Sequence, residues 1–308
     1  MDSPIFIVGM ARSGTSLLQS ILNNHPNIVI PRETGFFYLT EIYQKKSKIA
    51  SFSKEEIELF WNWYSKERRF TYLNLNKNEV RNNIDKTNNS KNFINVLDGV
   101  MNTCLEVNNK VRWGEKTPGH EMYLEKIFES YPKAKIIFMI RDPRAVYFSL
   151  KNVPWNNQFI SVFIKRWNRS VKKFKEYRSD DRVLMVNYEE LVNNVNYKIL
   201  EICNFIGEEY NNDMLKNRLS NFETFGKNSW SFKNEFATSR KVDNSSIEKW
   251  KNNLNSFEVS VIENYAESEI FTELFQYSNN KFDIKYKLNY KYLKFRYYLL
   301  NVVNRIRV

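Results

Sequence analysis

PIFIVGMARSGTSLLQSILNNHP, Pro4 to Pro26, is the stretch on which the fold turns. It begins as a short apolar run ended by Gly9, the pattern of a buried strand. Leu17, Leu18, Ile21 and Leu22 then recur at helical spacing, so a helix opens near Thr15. Between the two stands Gly9-Met10-Ala11-Arg12-Ser13-Gly14-Thr15-Ser16, with its glycines spaced G-x-x-x-x-G. Such a loop aims backbone N–H groups at an anion, and the helix N-terminus adds partial positive charge. Thr15 stands where nucleotide-triphosphatase loops carry a lysine, and no clear acidic strand end is placed to hold Mg²⁺. That pattern argues against NTP hydrolysis. It leaves a cradle for one phosphate-like group, made by Arg12, Ser13, Gly14, Thr15 and Ser16, with Arg12 as the nearby cation.

Moving outward, a short strand is expected around Ile28 to Ile30, and residues 36 to 108 read as mostly helical. The Asn- and Lys-rich stretch Asn76 to Lys91 reads as a loop or a weak helix. KVRWGEKTPG marks a strand running into a polar loop, and MYLEKIFESYP a helix stopped by Pro132. KAKIIFMIRDPRAVYFSL carries the most apolar strand, Lys135 to Ile140, with Pro143 at the start of the next helix. A long amphipathic helix, a strand ending in VNYEELV, and a helix that Gly207 can cap follow. Strands alternating with helices from residue 4 to about 206 predict an α/β fold: a P-loop-like central parallel sheet flanked by helices, with helical insertions.

Arg141 ends a buried parallel strand, where open α/β sheets bind ligands, and Ser149 lies about two turns along the following helix. The two therefore can face one site, and a guanidinium suits a terminal phosphate. Asp142, just before Pro143, reads as the helix cap; alternatively it pairs with Arg141, and Arg144 can be solvated.

The two motifs together resemble the family of sulfotransferases that use 3′-phosphoadenosine 5′-phosphosulfate (PAPS). Pro4 to Pro26 is similar to that family's 5′-phosphosulfate loop, and Lys133 to Leu150 to its 3′-phosphate motif, with the arginine and the serine eight positions later. VNYEELV resembles the segment that places a tyrosine near the adenosine, here Tyr188. SRKVDNSSIEKWKNNL resembles the basic segment that closes over the cofactor, here Arg240, Lys241 and Lys249. Val242 replaces the glycine of small-molecule sulfotransferases, which leaves the register of Arg240 against Lys241 open. RETGFF and GEKTP bring the chain nearest to the tyrosylprotein-type and related bacterial members.

The resemblance implies a sulfuryl transfer from PAPS to an acceptor hydroxyl, with no metal required. It gives Lys116 a role at the leaving group beside Arg12, and Glu33 that of general base, by its distance from Arg12. His120 is the competing base, and His25 reads as structural. The sulfotransferase domain spans 1–280, with its helical insertion at about 36–108.

Lys and Arg total 47 against 35 acidic residues, a net charge of +12, which favours anionic ligands without choosing among them. Two alternatives follow from charge and loop: a P-loop-like small-molecule kinase, or a basic nucleic-acid-binding protein. No nucleic-acid module is visible, and nucleic acid is not the expected partner. Abundant aromatics favour a carbohydrate or glycolipid acceptor; a protein tyrosine is the other candidate. Cys104 and Cys203 read as buried thiols; with no signal-peptide pattern and no long apolar run, a cytoplasmic setting is expected. Residues 281–308 hold eight Lys or Arg and one acid among Tyr, Phe and Leu. This tail is expected to pack its aromatics on the domain, or else to lie on an anionic membrane surface.

Overall fold

The computed structural model describes residues 3–47, 53–87, 92–153, 159–216, 242, 244–278 and 283–306, the side chains of 299–306 excepted. β1 (Ile5–Gly9) leads through the anion loop into α1 (Thr15–Asn23) and then β2 (Ile28–Val29). Five helices follow: α2 (Phe36–Ser47), α3 (Lys54–Tyr64), α4 (Arg68–Thr71), α5 (Lys77–Lys86) and α6 (Ile94–Asn108). Then come β3 (Arg112–Lys116), α7 (Leu124–Ser130), β4 (Lys135–Ile140), α8 (Pro143–Lys151), α9 (Ile160–Tyr177) and β5 (Val183–Asn187). Five more helices follow among the described residues: α10 (Tyr188–Asn193), α11 (Val195–Ile206), α12 (Ser256–Tyr265), α13 (Ser268–Leu274) and α14 (Ile284–Ile306).

The five strands form one sheet in the order β2-β3-β1-β4-β5, and every pairing is parallel. Alternation along the strands feeds two cores. Phe6, Val8, Ile136, Phe138 and Ile140 point into one, with the helical insertion and α9. Ile5, Ile7, Ile137 and Met139 point into the other, with α1, α10 and α11. Both faces are thus covered, which is why β1 and β4 are apolar at nearly every position. β1 is the point where the strand order reverses, with β3 on one side and β4 on the other. The crevice at the carboxyl end of β1 is therefore flanked by the ends of β3 and β4.

Residues 77–86 form a regular helix, firmer than the loop or weak helix expected from composition. The Asn76 side chain caps it by accepting from the N–H groups of Asn78 and Glu79, and Val80 and Ile84 are buried. Its backbone lies against Gly99 of α6, where a Cβ would stand 2.8 Å from the Ile84 nitrogen. That close approach supplies packing which the polar sequence of α5 hides. The tail is a helix too, and it packs on α9 and α12. Both cysteines are buried free thiols.

Asp142 caps α8 through the Arg144 N–H, as expected from Pro143. Arg144, however, is buried, not solvated. Its guanidinium donates to both Asp142 oxygens (Nε–Oδ1 3.0 Å, Nη2–Oδ2 2.7 Å) and to Glu263 Oε1 of α12 at 2.5 Å. It also lies 4.0 Å from the centroid of the Trp250 ring. Removing one partner of such a buried set costs about 3–5 kcal/mol.

Candidate active site

β1 ends in Gly9, whose φ of 131° and contact with β4 exclude a side chain: a Cβ there would stand 2.4 Å from the Met139 carbonyl oxygen. The loop then turns through Arg12, a non-glycine residue at φ 75°, and Gly14 at φ 94°. Backbone strain of this kind persists only where surrounding contacts fix it. Here Arg12 Nε donates to Ser149 Oγ of α8 at 2.9 Å. Arg141 Nη1, from the end of β4, donates to the Arg12 carbonyl oxygen at 3.0 Å. Burial, and then the charge of Arg141, lowers the proton affinity of Arg12. Ser13 and Thr15 are buried beneath the loop and Ser16 is half-buried.

Arg141 and Tyr188 make the second part of the site. The guanidinium lies 4.2 Å from the centroid of the Tyr188 ring, a cation–π contact. Tyr188 OH and Ser246 Oγ share a hydrogen bond of 2.7 Å, and Arg141 Nη2 donates to the Ser246 carbonyl at 2.9 Å. The alternative pairing of Arg141 with Asp142 is not the arrangement, since Arg144 holds that carboxylate. Tyr188 also packs against Gly14, where a Cβ would stand 2.4 Å from the ring. Gly14→Ala is accordingly expected to displace the ring and the loop together. Thermal-shift titration would register at least about tenfold weaker binding of an adenosine bisphosphate.

Glu33 follows β2 and meets Lys116 at the end of β3. Lys116 Nζ donates to Glu33 Oε1 at 2.9 Å and to Ser16 Oγ at 3.2 Å, so one ammonium touches both the carboxylate and the anion loop. Arg69 of α4 donates to Glu33 Oε2 and, through Nε, to Tyr38 OH at 3.0 Å. Burial opposes the charge on Glu33, but Lys116 and Arg69 outweigh it and hold the carboxyl down at about 2.

A buried layer supports this corner. Thr34 Oγ1 and Thr117 Oγ1 donate to Glu115 Oε1 at 2.7 and 2.6 Å, and His120 Nδ1 lies 2.8 Å from Glu115 Oε2. His120 is fully buried in that layer and has no hydrogen bond to the loop or to Glu33, which sets it apart from the proton-transfer position considered for it. His25 is structural as expected: Nδ1 accepts from the Asn27 N–H at 3.2 Å, and Nε2 lies 2.9 Å from the Glu209 carbonyl. Glu121 ties the loop to β3 by accepting from the N–H groups of Gly9 at 3.3 Å and Gly119 at 2.8 Å. Glu189 accepts from the Asp142 N–H at 3.1 Å; burial, then the Asp142 charge, raises it to about 7.

The site thus unites Arg12, Ser13, Gly14, Thr15, Ser16, Arg141, Ser149 and Tyr188, with Glu33 and Lys116 alongside. Arg240 and Lys241 lie outside the described residues. Lys249 is exposed on a short turn, and no described contact links its side chain to the site. The reason is its neighbour: Trp250 is buried against Arg144 and turns Lys249 outward. Residue 246 is the part of that segment which reaches Arg141. Arg69, Ser246 and Glu189 were not legible beforehand as site residues.

Beside the loop opens a cavity of about 250 Å³ lined by Ala11, Pro118, Gly119 and Leu150, with Arg166 and Arg169 of α9. Its walls are chain neighbours of Arg12, Lys116 and Ser149. No aromatic ring is among the described residues that line it.

Cationic side chains that converge with a strand-to-helix loop at three neighbouring strand ends of a parallel sheet make a P-loop-like scaffold suited to anionic groups. Residues 4–212 match the model of the sulfotransferase family, and the chain belongs to that family. It is 27% identical over 224 residues to a putative protein-tyrosine sulfotransferase of Caenorhabditis briggsae, covering 68% of each chain. It is 27% identical over 224 residues to the protein-tyrosine sulfotransferase of Drosophila melanogaster, covering 68% of this chain and 39% of that one. In fold it is similar to the sulfotransferase domain of the Synechococcus PCC 7002 olefin synthase, with a TM-score of 0.53 at 20% identity over 83% of this chain and 90% of that one. Family membership displaces the small-molecule kinase and nucleic-acid readings.

Proposed function

We propose that the chain transfers a sulfuryl group from PAPS to the hydroxyl of an acceptor that carries negative charge nearby. The supporting observation is the hydrogen bond from Arg141 to the Arg12 carbonyl, which sets the two anion sites side by side at the carboxyl end of the sheet. The residues fit a doubly anionic adenosine nucleotide. Arg141 Nε is buried with no hydrogen-bond partner among the described residues, a donor left for a ligand such as a 3′-phosphate. The ring of Tyr188 lies between this arginine and Gly14, where an adenosine would pass. The loop amides, Arg12 and Lys116 are the groups that would hold the 5′-phosphosulfate.

PAPS, when bound, supplies an activated sulfur: the bond between sulfur and the 5′-phosphate oxygen breaks as the bond to the acceptor oxygen forms. The residues of the chain manage charge and one proton. Arg12 and Lys116 face the negative charge that grows on the leaving oxygen. Glu33 accepts the proton of the acceptor hydroxyl. A carboxyl held at about 2 is a poor base while Lys116 and Arg69 both grip it. Lys116 also touches Ser16 of the loop, so an anion there competes for it and raises the proton affinity of Glu33 when it is needed.

The acceptor reading rests on Arg166 and Arg169 of α9, both exposed at the cavity and neither ion-paired to a described residue; the one carboxylate in the described lining, Glu121, is buried and accepts from the Gly9 and Gly119 N–H groups. The aromatic argument for a sugar finds no ring in the described lining. An acidic peptide bearing tyrosine, or an acidic glycan, suits two guanidinium groups better than a neutral sugar. Replacing both arginines by Glu is expected to raise KM for an acidic acceptor at least about tenfold, with nucleotide affinity retained. Labelled-sulfate transfer to tyrosine peptides with Glu or Lys flanks, and to neutral and acidic oligosaccharides, would measure it. Equal use of all acceptors would discard the charge-selective reading.

A further inference from the structure

Helix α14 is apolar on two opposite faces. At about 100° per residue, Tyr286, Tyr290, Leu293 and Tyr297 share one face, and this is the face that docks. The Tyr290 ring stacks on Tyr265 at 4.2 Å between centroids, Tyr286 meets Phe257 at 5.6 Å, and Tyr297 meets Phe159 at 5.8 Å. On the opposite face stand Ile284, Leu288, Tyr292, Phe295 and Tyr298, each between 59% and 70% exposed. The expected packing of the tail therefore accounts for four of the nine apolar and aromatic residues whose side chains are described on this helix. Holding the other five in water forgoes about 25 cal/mol per Å² that burial would return.

The charges say what suits this second stripe. Lys285 and Arg296 run along one of its edges and Lys287 and Lys294 along the other, with Lys291 set among the apolar residues beside Tyr298. No acidic residue lies between Ile284 and Ile306. A second copy of the same stripe would set lysine against lysine, which opposes self-association. A bilayer with anionic headgroups offers what the stripe lacks: acyl chains for the apolar row and phosphates for the flanking cations. The tyrosines suit the headgroup level, with an apolar ring and a polar tip. Among the described residues no helix is long and apolar enough to cross a membrane, so the contact is one of lying on the surface. We propose that α14 docks the enzyme flat on an anionic lipid bilayer through Ile284, Leu288, Tyr292, Phe295 and Tyr298. This inference is independent of the acceptor reading.

The test is co-sedimentation of the full chain with vesicles of phosphatidylcholine alone, or with about one-third phosphatidylserine. The wild type is expected to bind the phosphatidylserine vesicles at least about tenfold more tightly, and to release as salt rises. Leu288→Glu with Phe295→Glu should abolish that binding, and Lys287→Glu with Lys291→Glu should weaken it, the far-UV spectrum and thermal midpoint being retained. Failure of the wild type to bind phosphatidylserine vesicles, equal binding to both vesicle types, or undiminished binding by the folded variants would overturn the proposal. So would a wild-type dimer in sedimentation equilibrium that the Leu288→Glu, Phe295→Glu variant converts to monomer, since a second copy would then cover the stripe.

Discussion

The Glu33→Gln enzyme is expected to turn over at least about 10²-fold more slowly than the wild type while binding 3′-phosphoadenosine 5′-phosphate as well. The amide keeps the shape of the side chain and an oxygen toward Lys116, but it cannot take up a proton. Glu33 stands apart from the Arg141 and Tyr188 side of the site, which is why nucleotide affinity should survive. Steady-state kinetics paired with a nucleotide titration separates the two effects, and full turnover in the variant would remove Glu33 as base. Stability supplies a second readout. The folded carboxyl sits at about 2, below its unfolded value. Its ion pairs thus contribute fully above the unfolded value, and the contribution fades as the pH falls toward 2. Any stability advantage of wild type over variant should shrink across that acidic window.

Arg141→Ala is expected to cost about 10²-fold in affinity for 3′-phosphoadenosine 5′-phosphate, the worth of two charge-assisted hydrogen bonds, and far less for adenosine 5′-phosphate. Arg141 also holds the Arg12 carbonyl, so both ligands will lose something through the loop. The ratio of the two affinities, measured by calorimetry, is therefore the quantity to watch. An unchanged ratio would place the 3′-phosphate elsewhere.

Much of this geometry could be read from the chain because buried parallel strands must be apolar on both faces. Ile5 to Val8 and Ile136 to Ile140 therefore stood out, and Gly9, Arg141 and Lys116 mark where strands end. What escaped depends on long-range packing. Arg69 reaches Glu33 only because the helical insertion folds back over β2, and nothing local to a stretch reading KERRF reveals that. His120 follows Lys116 closely enough to suggest proton transfer, yet Glu115 and its threonines draw it into the interior. Lys249 carries the right charge on the right segment, but its orientation was decided by burial of Trp250. Arg166 and Arg169 belong to the polar side of an amphipathic helix, and only the tertiary fold brings a cavity beside them.

The fastening of Arg144 to Asp142, Glu263 and Trp250 bears on how this fold can be divided. The family match stops at residue 212, whereas two of those partners lie beyond it. A polypeptide cut at the similarity limit would keep every described strand and the anion loop, yet leave Arg144 with Asp142 alone, without the Glu263 carboxylate and the Trp250 ring that complete its surroundings beside Arg141. Similarity and self-sufficiency thus have different borders in this enzyme, and any shuffling or trimming has to respect the later one.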